Sequence, residues 1–433
     1  MKMSLSVKNQ SVEKSGLPKD YREALCEYIW NGYEANATEV SLSFTINVTE
    51  GVESITITDN GEGINYGNLS ETFGAFLVSQ KNSLALKEKS KANKGKGRFS
   101  FGLFASLAVW DTCYSEDGKY HKYKIRLTNS NKQEIDYDDE PKECFDEKTG
   151  TSVTFYNIEG VSKSGLEFVA LEEFLLGEFA WFLYLHKDDG YKLIVNGVEL
   201  CYTKHIDDML SRNIECSINE KIFKINLVVW NNKIKEKFCC YFMTSKGVLC
   251  GVDTTTFNRN TVGFNHSVFV SSLAFDDFND ISFADDAQLE IGKSEEYYEI
   301  IKQLKVVIQK LISQQLSLYM AGKAESEVQK MINERKTFPV FPDDDYGQLR
   351  KNDLIRVTKE IYCAEPKIFY KLSDLQEKSL LAFLNLLLSS EEREGVLTVI
   401  DQIVGLSPEQ RKRFSGLLQK TKLAYIIDMH PKS

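Results

Sequence analysis

Residues 27–35 read Glu27-Tyr28-Ile29-Trp30-Asn31-Gly32-Tyr33-Glu34-Ala35. They lie in a stretch from Leu17 to Asn36 whose apolar positions Ala24, Leu25, Tyr28, Ile29 and Trp30 recur with helical spacing. The spacing predicts a helix and puts Glu27 and Asn31, i and i+4, on one of its faces. A carboxylate there can take a proton from water, and an amide oxygen one turn on can ligate a hard metal ion. A polar face on a surface helix has the same pattern, so the surroundings must decide.

Two alternating stretches follow, Val40 to Val48 and Ser54 to Thr58, and both read as strands. The second runs into Asp59-Asn60-Gly61-Glu62-Gly63-Ile64. A carboxylate at a strand end can accept an N–H from a nucleobase, and the glycines let backbone approach a planar ring. Taken alone, the same residues are simply a turn. Helical signal returns from Leu69 to Val78, and residues 81–98 then hold seven Lys or Arg against the single Glu88. Such a segment buries little apolar surface and reads as a mobile surface loop. It ends in Gly95-Lys96-Gly97-Arg98-Phe99-Ser100-Phe101-Gly102, placed at the start of an expected small-and-apolar helix from Phe101 to Val109. Backbone N–H groups at a helix start beside glycines form an anion nest. Lys96 and Arg98 suit phosphate contacts and suit a solvated charge run equally well. The chain has no Walker A pattern.

In order and spacing these stretches resemble the GHKL ATPases: gyrase B, the ninety-kilodalton heat-shock chaperones, histidine kinases, MutL and the MORC-type ATPases. The resemblance implies ATP and Mg²⁺ as ligands, with Glu27 as general base, Asn31 as the magnesium ligand and Ala35 as the small residue of the first motif. Asp59, with Gly61 and Gly63, would face the adenine amino group. Gly97, Arg98, Phe99, Ser100, Phe101 and Gly102, with Lys96, would form the phosphate loop, closest to the chaperone form. Gly150-Thr151 matches the fourth motif, where Thr151 binds adenine through a water and Asp59. Residues 79–98 would be the ATP lid, and the implied cycle is ATP-gated homodimerisation with hydrolysis. Two departures stand out: Glu34 where Asp is usual, and Ser100 where the central glycine of the phosphate loop lies. A Cβ costs energy at a position that needs φ > 0 or close phosphate approach. The alternative is therefore a nucleotide-sensing interaction or chaperone-like protein with little turnover. A DNA or protein partner and a role in bacteriophage defence follow from the MutL and MORC resemblance alone. Lys246 and Arg259 are the candidates for the lysine that reaches the γ-phosphate from the transducer domain of such relatives.

Composition agrees with this class. Hydrophobic residues make up 42% and charged residues 27% of the 433, which rules out a mainly disordered chain or a pure coiled coil. The net charge of −10 argues against a globally basic nucleic-acid wrapper and leaves a local basic patch open. Nine cysteines without a CxxC, and five scattered histidines, suit reduced thiols in a cytoplasmic protein better than a zinc site. The start, MKMSLSVKNQ, lacks an apolar core, so neither signal peptide nor membrane span is expected.

The expected fold is α+β: a polar arm at 1–16, a Bergerat-type ATP-binding sandwich at 17–205, a transducer-like α/β domain at 206–337 and an all-α region at 338–433. Within it, residues 129–149 read as an irregular acidic excursion, Leu166 to His186 as a helix, and Tyr191 to Leu200 as a hairpin turning at Asn196-Gly197. Ile222 to Trp230, Lys237 to Met243, Val248 to Gly251 and Val268 to Ser271 read as strands. Ser294 to Lys336 reads as one helix, or two broken near Gly322. Ser373 with Gln376, Ser389 with Glu392, and Ser407-Pro408 mark three further helix starts. A further C-terminal domain beyond the chain is left open.

Overall fold

The computed structural model describes residues 2–4, 18–69, 97–145, 148–236, 238–255, 262–276, 281, 295–364, 366–370 and 372–389, with scattered positions beyond 394. Most of the expected arm, the rest of the helix at 69–78, lid residues 79–96, Arg259 and, apart from Ser389 and Pro408, the helix starts at 389–392 and 407–410 lie outside the described residues.

The chain divides into two compact units, residues 1–259 with 265–306, and residues 260–264 with 307–433. The first unit is built on a large mixed sheet. Its strands are β1 (Lys2–Ser4), β2 (Glu39–Ile46), β3 (Val52–Asp59), β4 (Ala105–Glu116), β5 (Lys119–Thr128), β6 (Asn131–Tyr137), β7 (Lys142–Cys144), β8 (Gly150–Ile158), β9 (Lys192–Val195) and β10 (Val198–Glu199). The order is β1-β6-β5-β4-β8-β3-β2-β9-β10, with β7 also on β5. All pairs are antiparallel except β2 with β9. Helices α1 (Tyr21–Glu34) and α2 (Phe168–Leu185) pack side by side, with Trp30 against Phe179 and Phe182 at 4.7 and 5.0 Å between ring centroids. The expected hairpin turns at Asn196 and Gly197, both with left-handed backbone (φ 47° and 79°), as a two-residue type I′ turn requires.

Three expectations are corrected. Phe101 to Val109 is not a helix: a 3₁₀ turn at Gly97–Leu103 gives way to the long strand β4. The apolar run 101–109 is too short for periodicity to separate helix from strand. From its end onward Ala108, Trp110, Thr112 and Tyr114 are buried at alternate positions, so the strand pattern wins. Residues 129–149 are not merely irregular, since they supply β6 and β7. Residues 2–4 of the arm form β1 and pair antiparallel with β6. Short polar strands at or next to a sheet edge carry almost no hydrophobic signal, which is why both were illegible.

A second sheet in the same unit has the order β11-β12-β15-β13-β14: Arg212–Ile218, Lys221–Trp230, Asn265–Ser271, Cys239–Met243 and Leu249–Thr254. Strand β11 gave no separate sequence signal. Helix α2 lies between the sheets. Trp181 stacks on Tyr241 at 5.2 Å and 10°, and Tyr184 meets Phe269 at 4.6 Å. Each such pair is worth about 0.5–1.5 kcal/mol beyond its buried area.

The second unit is helical. Helix α3 (Glu295–Asn333) enters it at Val307 and runs without a break through Gly322, because Met320, Ala324, Val328 and Met331 are all buried on one side. Helices α4 (Asp345–Ala364), α5 (Lys367–Tyr370) and α6 (Asp374–Leu388) complete the core with Leu354, Val357, Ile361, Leu381 and Leu384. Helix α6 begins with the expected Ser373–Gln376 capping box. No helix among the described residues is long and apolar enough to cross a membrane.

Candidate nucleotide site

Helix α1 starts at Asp20, whose side chain accepts the Arg22 N–H at 2.9 Å and pairs with the Arg22 guanidinium at 2.6 Å. That hydrogen bond holds the Asp20 carboxyl below its usual range, against a smaller opposing effect of burial. Along the helix Ala24, Leu25, Cys26, Tyr28, Ile29, Trp30 and Tyr33 are buried, whereas Glu27 and Glu34 are half-buried and Asn31 is exposed. Glu27, Asn31 and Glu34, at i, i+4 and i+7, therefore form one polar stripe. Two anchors fix the helix against rotation. The Trp30 indole N–H donates to the buried Glu178 at 2.8 Å, which also pairs with Lys235 at 3.0 Å. Tyr33 OH donates to the Lys192 carbonyl at 2.9 Å.

The end of β3 is packed directly against this helix. A Cβ on Gly32 would lie 2.9 Å from Asp59 Cβ, so the absence of a side chain there lets α1 touch the strand. Asp59 Oδ1 accepts the N–H groups of Gly61 at 2.9 Å and Thr151 at 3.2 Å, while Oδ2 takes no partner among the described residues. Burial pushes the Asp59 carboxyl above its usual range despite those two bonds. The turn after Asp59 is tied to α1 by Glu62 N–H donating to the Ala35 carbonyl at 2.9 Å and by Asn36 donating to Glu62 Oε1 at 2.7 Å. Asn60 Oδ1 accepts from Thr38 and Glu39 N–H at 3.0 and 2.9 Å and closes the other side. Gly63 has φ 74°, and a Cβ there would meet the Cys113 carbonyl oxygen at 2.0 Å. Only glycine fits both demands.

Cross-strand register sets Asp59, Thr151 and Thr112 in one row over β3, β8 and β4. Thr112 Oγ1 accepts the Ile64 N–H at 2.9 Å and lies 2.9 Å from Thr151 Oγ1. On the other side of α1, the Tyr28 hydroxyl accepts the Phe101 N–H at 3.3 Å. This brings the Gly97–Leu103 turn to the same helix, with Phe99, Ser100 and Phe101 buried and the Gly102 carbonyl held by Asn129 at 3.1 Å. Ser100 is not among the positive-φ residues of the described chain. The turn is thus built without the left-handed backbone that would have excluded a Cβ.

The structure therefore gathers Glu27, Asn31 and Glu34 on α1, Asp59, Gly61 and Gly63 after β3, Thr151 on β8, and Gly97, Phe99, Ser100, Phe101 and Gly102 around one helix. Arg98 belongs to the same turn by its backbone, and Lys96 lies outside the described residues. Lys246 sits in the β13–β14 turn, whose Ser245 is bound through N–H and Oγ by Asp276, both at 2.7 Å. Sequence reasoning missed Gly32, Tyr28, Thr112 and Glu178. Tyr28 and Gly32 lie inside the first stretch and Thr112 and Glu178 outside every motif, but only the strand register and helix packing reveal what these four do.

The donor set suits an adenine nucleotide with a hard cation. It offers a carboxylate oxygen at a strand end with no partner among the described residues, glycines at which a Cβ would collide with backbone, and an exposed amide on the adjacent helix. Residues 20–153 match the family model described as histidine kinase-, DNA gyrase B- and HSP90-like ATPase. Among solved structures, the chain is similar to the ATPase region of Saccharomyces cerevisiae topoisomerase II, at 14% identity and TM-score 0.34, over 58% of this chain and 73% of that one. It is also similar to the Aquifex aeolicus MutL ATPase domain complexed with ADP, at 10% identity and TM-score 0.31, over 59% and 92%. No curated protein matches the sequence. Over residues 20–153 the chain is thus similar to the histidine kinase-, DNA gyrase B- and HSP90-like ATPases that this family model describes.

Proposed function

We propose that the chain is an ATP-binding and ATP-hydrolysing conformational switch. One observation carries this reading: the stripe of Glu27, Asn31 and Glu34 lies on the helix whose Gly32 packs against Asp59 and whose Tyr28 accepts the Phe101 N–H of the phosphate-loop turn. In this reading Asp59 Oδ2 accepts the adenine amino group, and Thr151 completes the base site. The Asn31 amide oxygen would hold Mg²⁺, which would supply charge neutralisation on the phosphates. Glu27 accepts the proton of the attacking water, and the N–H groups of the Gly97–Gly102 turn stabilise developing negative charge. Residues 79–98, carrying seven positive charges against one negative, would close over the triphosphate as a lid, with Lys96 and Arg98 at the phosphates. Closure and homodimerisation then follow the triphosphate, and hydrolysis releases them. A cytoplasmic setting, a DNA or protein partner and a place in bacteriophage defence belong to the same proposal.

The buried Ser100 inside the phosphate-loop turn favours a second reading, a nucleotide sensor or chaperone-like protein with slow turnover. Calorimetry with Mg·ATP and Mg·GTP, run beside phosphate release, tests both. ATP binding in roughly the micromolar-to-millimolar range with steady phosphate release supports the switch, and binding without release supports the sensor. Equal affinity for GTP removes the assignment of Asp59.

A further inference from the structure

We propose that Thr112 is a specificity-determining positioning residue: it fixes the direction of the Thr151 hydroxyl, so that Asp59 and Thr151 present an acceptor beside a donor. The proposal rests on the adenine-nucleotide reading above and adds to it a residue outside every motif.

The hydrogen bookkeeping leads there. Thr112 Oγ1 has one hydrogen and two lone pairs. One lone pair accepts the Ile64 N–H at 2.9 Å, a bond that also ties β4 to the Asp59–Gly63 turn. The remaining neighbours are Thr151 Oγ1 at 2.9 Å and the Gly150 carbonyl at 3.4 Å. Either hydroxyl can donate across the 2.9 Å contact; the bond to the Gly150 carbonyl, at 3.4 Å, is the weaker use of the Thr112 hydrogen, and that hydrogen is here assigned to Thr151. Thr151 Oγ1 then keeps its own hydrogen, and that hydrogen points away from Thr112. Thr112 is fully buried, so solvent does not compete for its hydroxyl.

Asp59 and Thr151 are directly opposed across β3 and β8, so their side chains share a face. With Asp59 Oδ2 as acceptor and Thr151 as donor, the pair complements an amino group next to a ring nitrogen. Adenine carries that order at N6 and N1, whereas guanine carries the reverse, a carbonyl next to a ring N–H. The contact of Thr151 to N1 serves the same purpose whether direct or through one water. Asp59 discriminates by charge, and Thr112 discriminates by holding the neighbouring hydroxyl in one of its two senses.

The test is a cycle between Thr112 and the N1 atom of the base. Calorimetry with Mg·ATP and Mg·1-deaza-ATP, which lacks the N1 acceptor, is run on the full chain, on Thr112→Val and on Thr112→Ser. The wild type should prefer ATP by about 3- to 10-fold, the factor of one neutral hydrogen bond. Thr112→Val also frees the Ile64 N–H and so weakens both ligands somewhat, but it should weaken ATP by a further factor of that size, so that the preference falls to about one. Thr112→Ser, which keeps the hydroxyl, should restore it. A full preference in Thr112→Val, or equal weakening of both ligands, overturns the proposal; so does a wild type that binds both alike. If Thr112→Val does not fold, Thr112→Cys, of similar size with a weakly donating thiol, should show a reduced preference, and an undiminished one overturns the proposal. A wild type that binds neither nucleotide overturns instead the reading of the site as a nucleotide pocket, and this inference falls with it.

Discussion

Replacing Asp59 by Asn separates the stability of the site from its recognition of the base. Asp59 Oδ1 already accepts two backbone N–H groups, from Gly61 and Thr151. In Asp59→Asn the amide oxygen must take that position, because an NH₂ there would face two donors. The amide nitrogen then replaces Oδ2 and turns a donor toward the adenine amino group. ATP loses a hydrogen bond to a charged acceptor, about 1.5–3 kcal/mol, so its Kd should rise roughly 10- to 150-fold. Stability should move the other way. Burial raises the folded-state pKa of Asp59, so the protonated form adds stability at low pH that is lost as pH rises through that pKa. At neutral pH the ionised group is a liability without nucleotide, and Asp59→Asn should melt at or above the wild-type temperature. The gap should narrow as pH falls into the carboxylate range. Calorimetry with ATP and melting curves from neutral to acid pH read both effects. An ATP Kd within about 3-fold of wild type, or a variant clearly less stable at neutral pH, refutes this reasoning.

Three further outcomes follow from the geometry. Asn31→Ala should leave melting within about 0.5 kcal/mol, as for an exposed residue, yet weaken ATP binding in the presence of Mg²⁺ and not in its absence; calorimetry with and without the metal checks it. Gly63→Ala should cost roughly 2 kcal/mol or more, since strained backbone is joined by collision with the Cys113 carbonyl, whereas Gly118→Ala, at φ 78° in open space, should cost only about 1–2 kcal/mol; chemical denaturation compares them. Glu178→Leu should cost about 1–3 kcal/mol, because it orphans the buried Trp30 indole N–H, while the largely exposed Lys235 regains water; melting together with Trp fluorescence reads it.

The motif residues were legible because each is demanded by local chemistry. Glu27 and Asn31 share a face by helical arithmetic, and the Asp59–Gly63 turn follows a strand whose alternation is plain. Asn196-Gly197 and the Ser373–Gln376 box were legible for the same reason, since their geometry is contained within a few residues. What failed was set by distant partners. The run 101–109 is apolar enough for either structure, and only its place between β5 and β8 makes it strand. Residues 131–137 are strand because they pair with β5, and residues 2–4 form the edge strand that pairs with them in turn. Thr112 carries no sequence signal because its place beside Thr151 is set by a register across three strands, and Gly32 none because what it permits is the closeness of Asp59.

The central claim is that Glu27 performs chemistry at a site otherwise built for binding. Phosphate release by Glu27→Ala under saturating Mg·ATP, measured beside ATP affinity, tests it most directly. A base acts in the transition state, so turnover should fall about 10²-fold or more while the Kd for ATP changes by less than about 10-fold. Wild-type turnover in Glu27→Ala, with ATP still bound, would contradict the account.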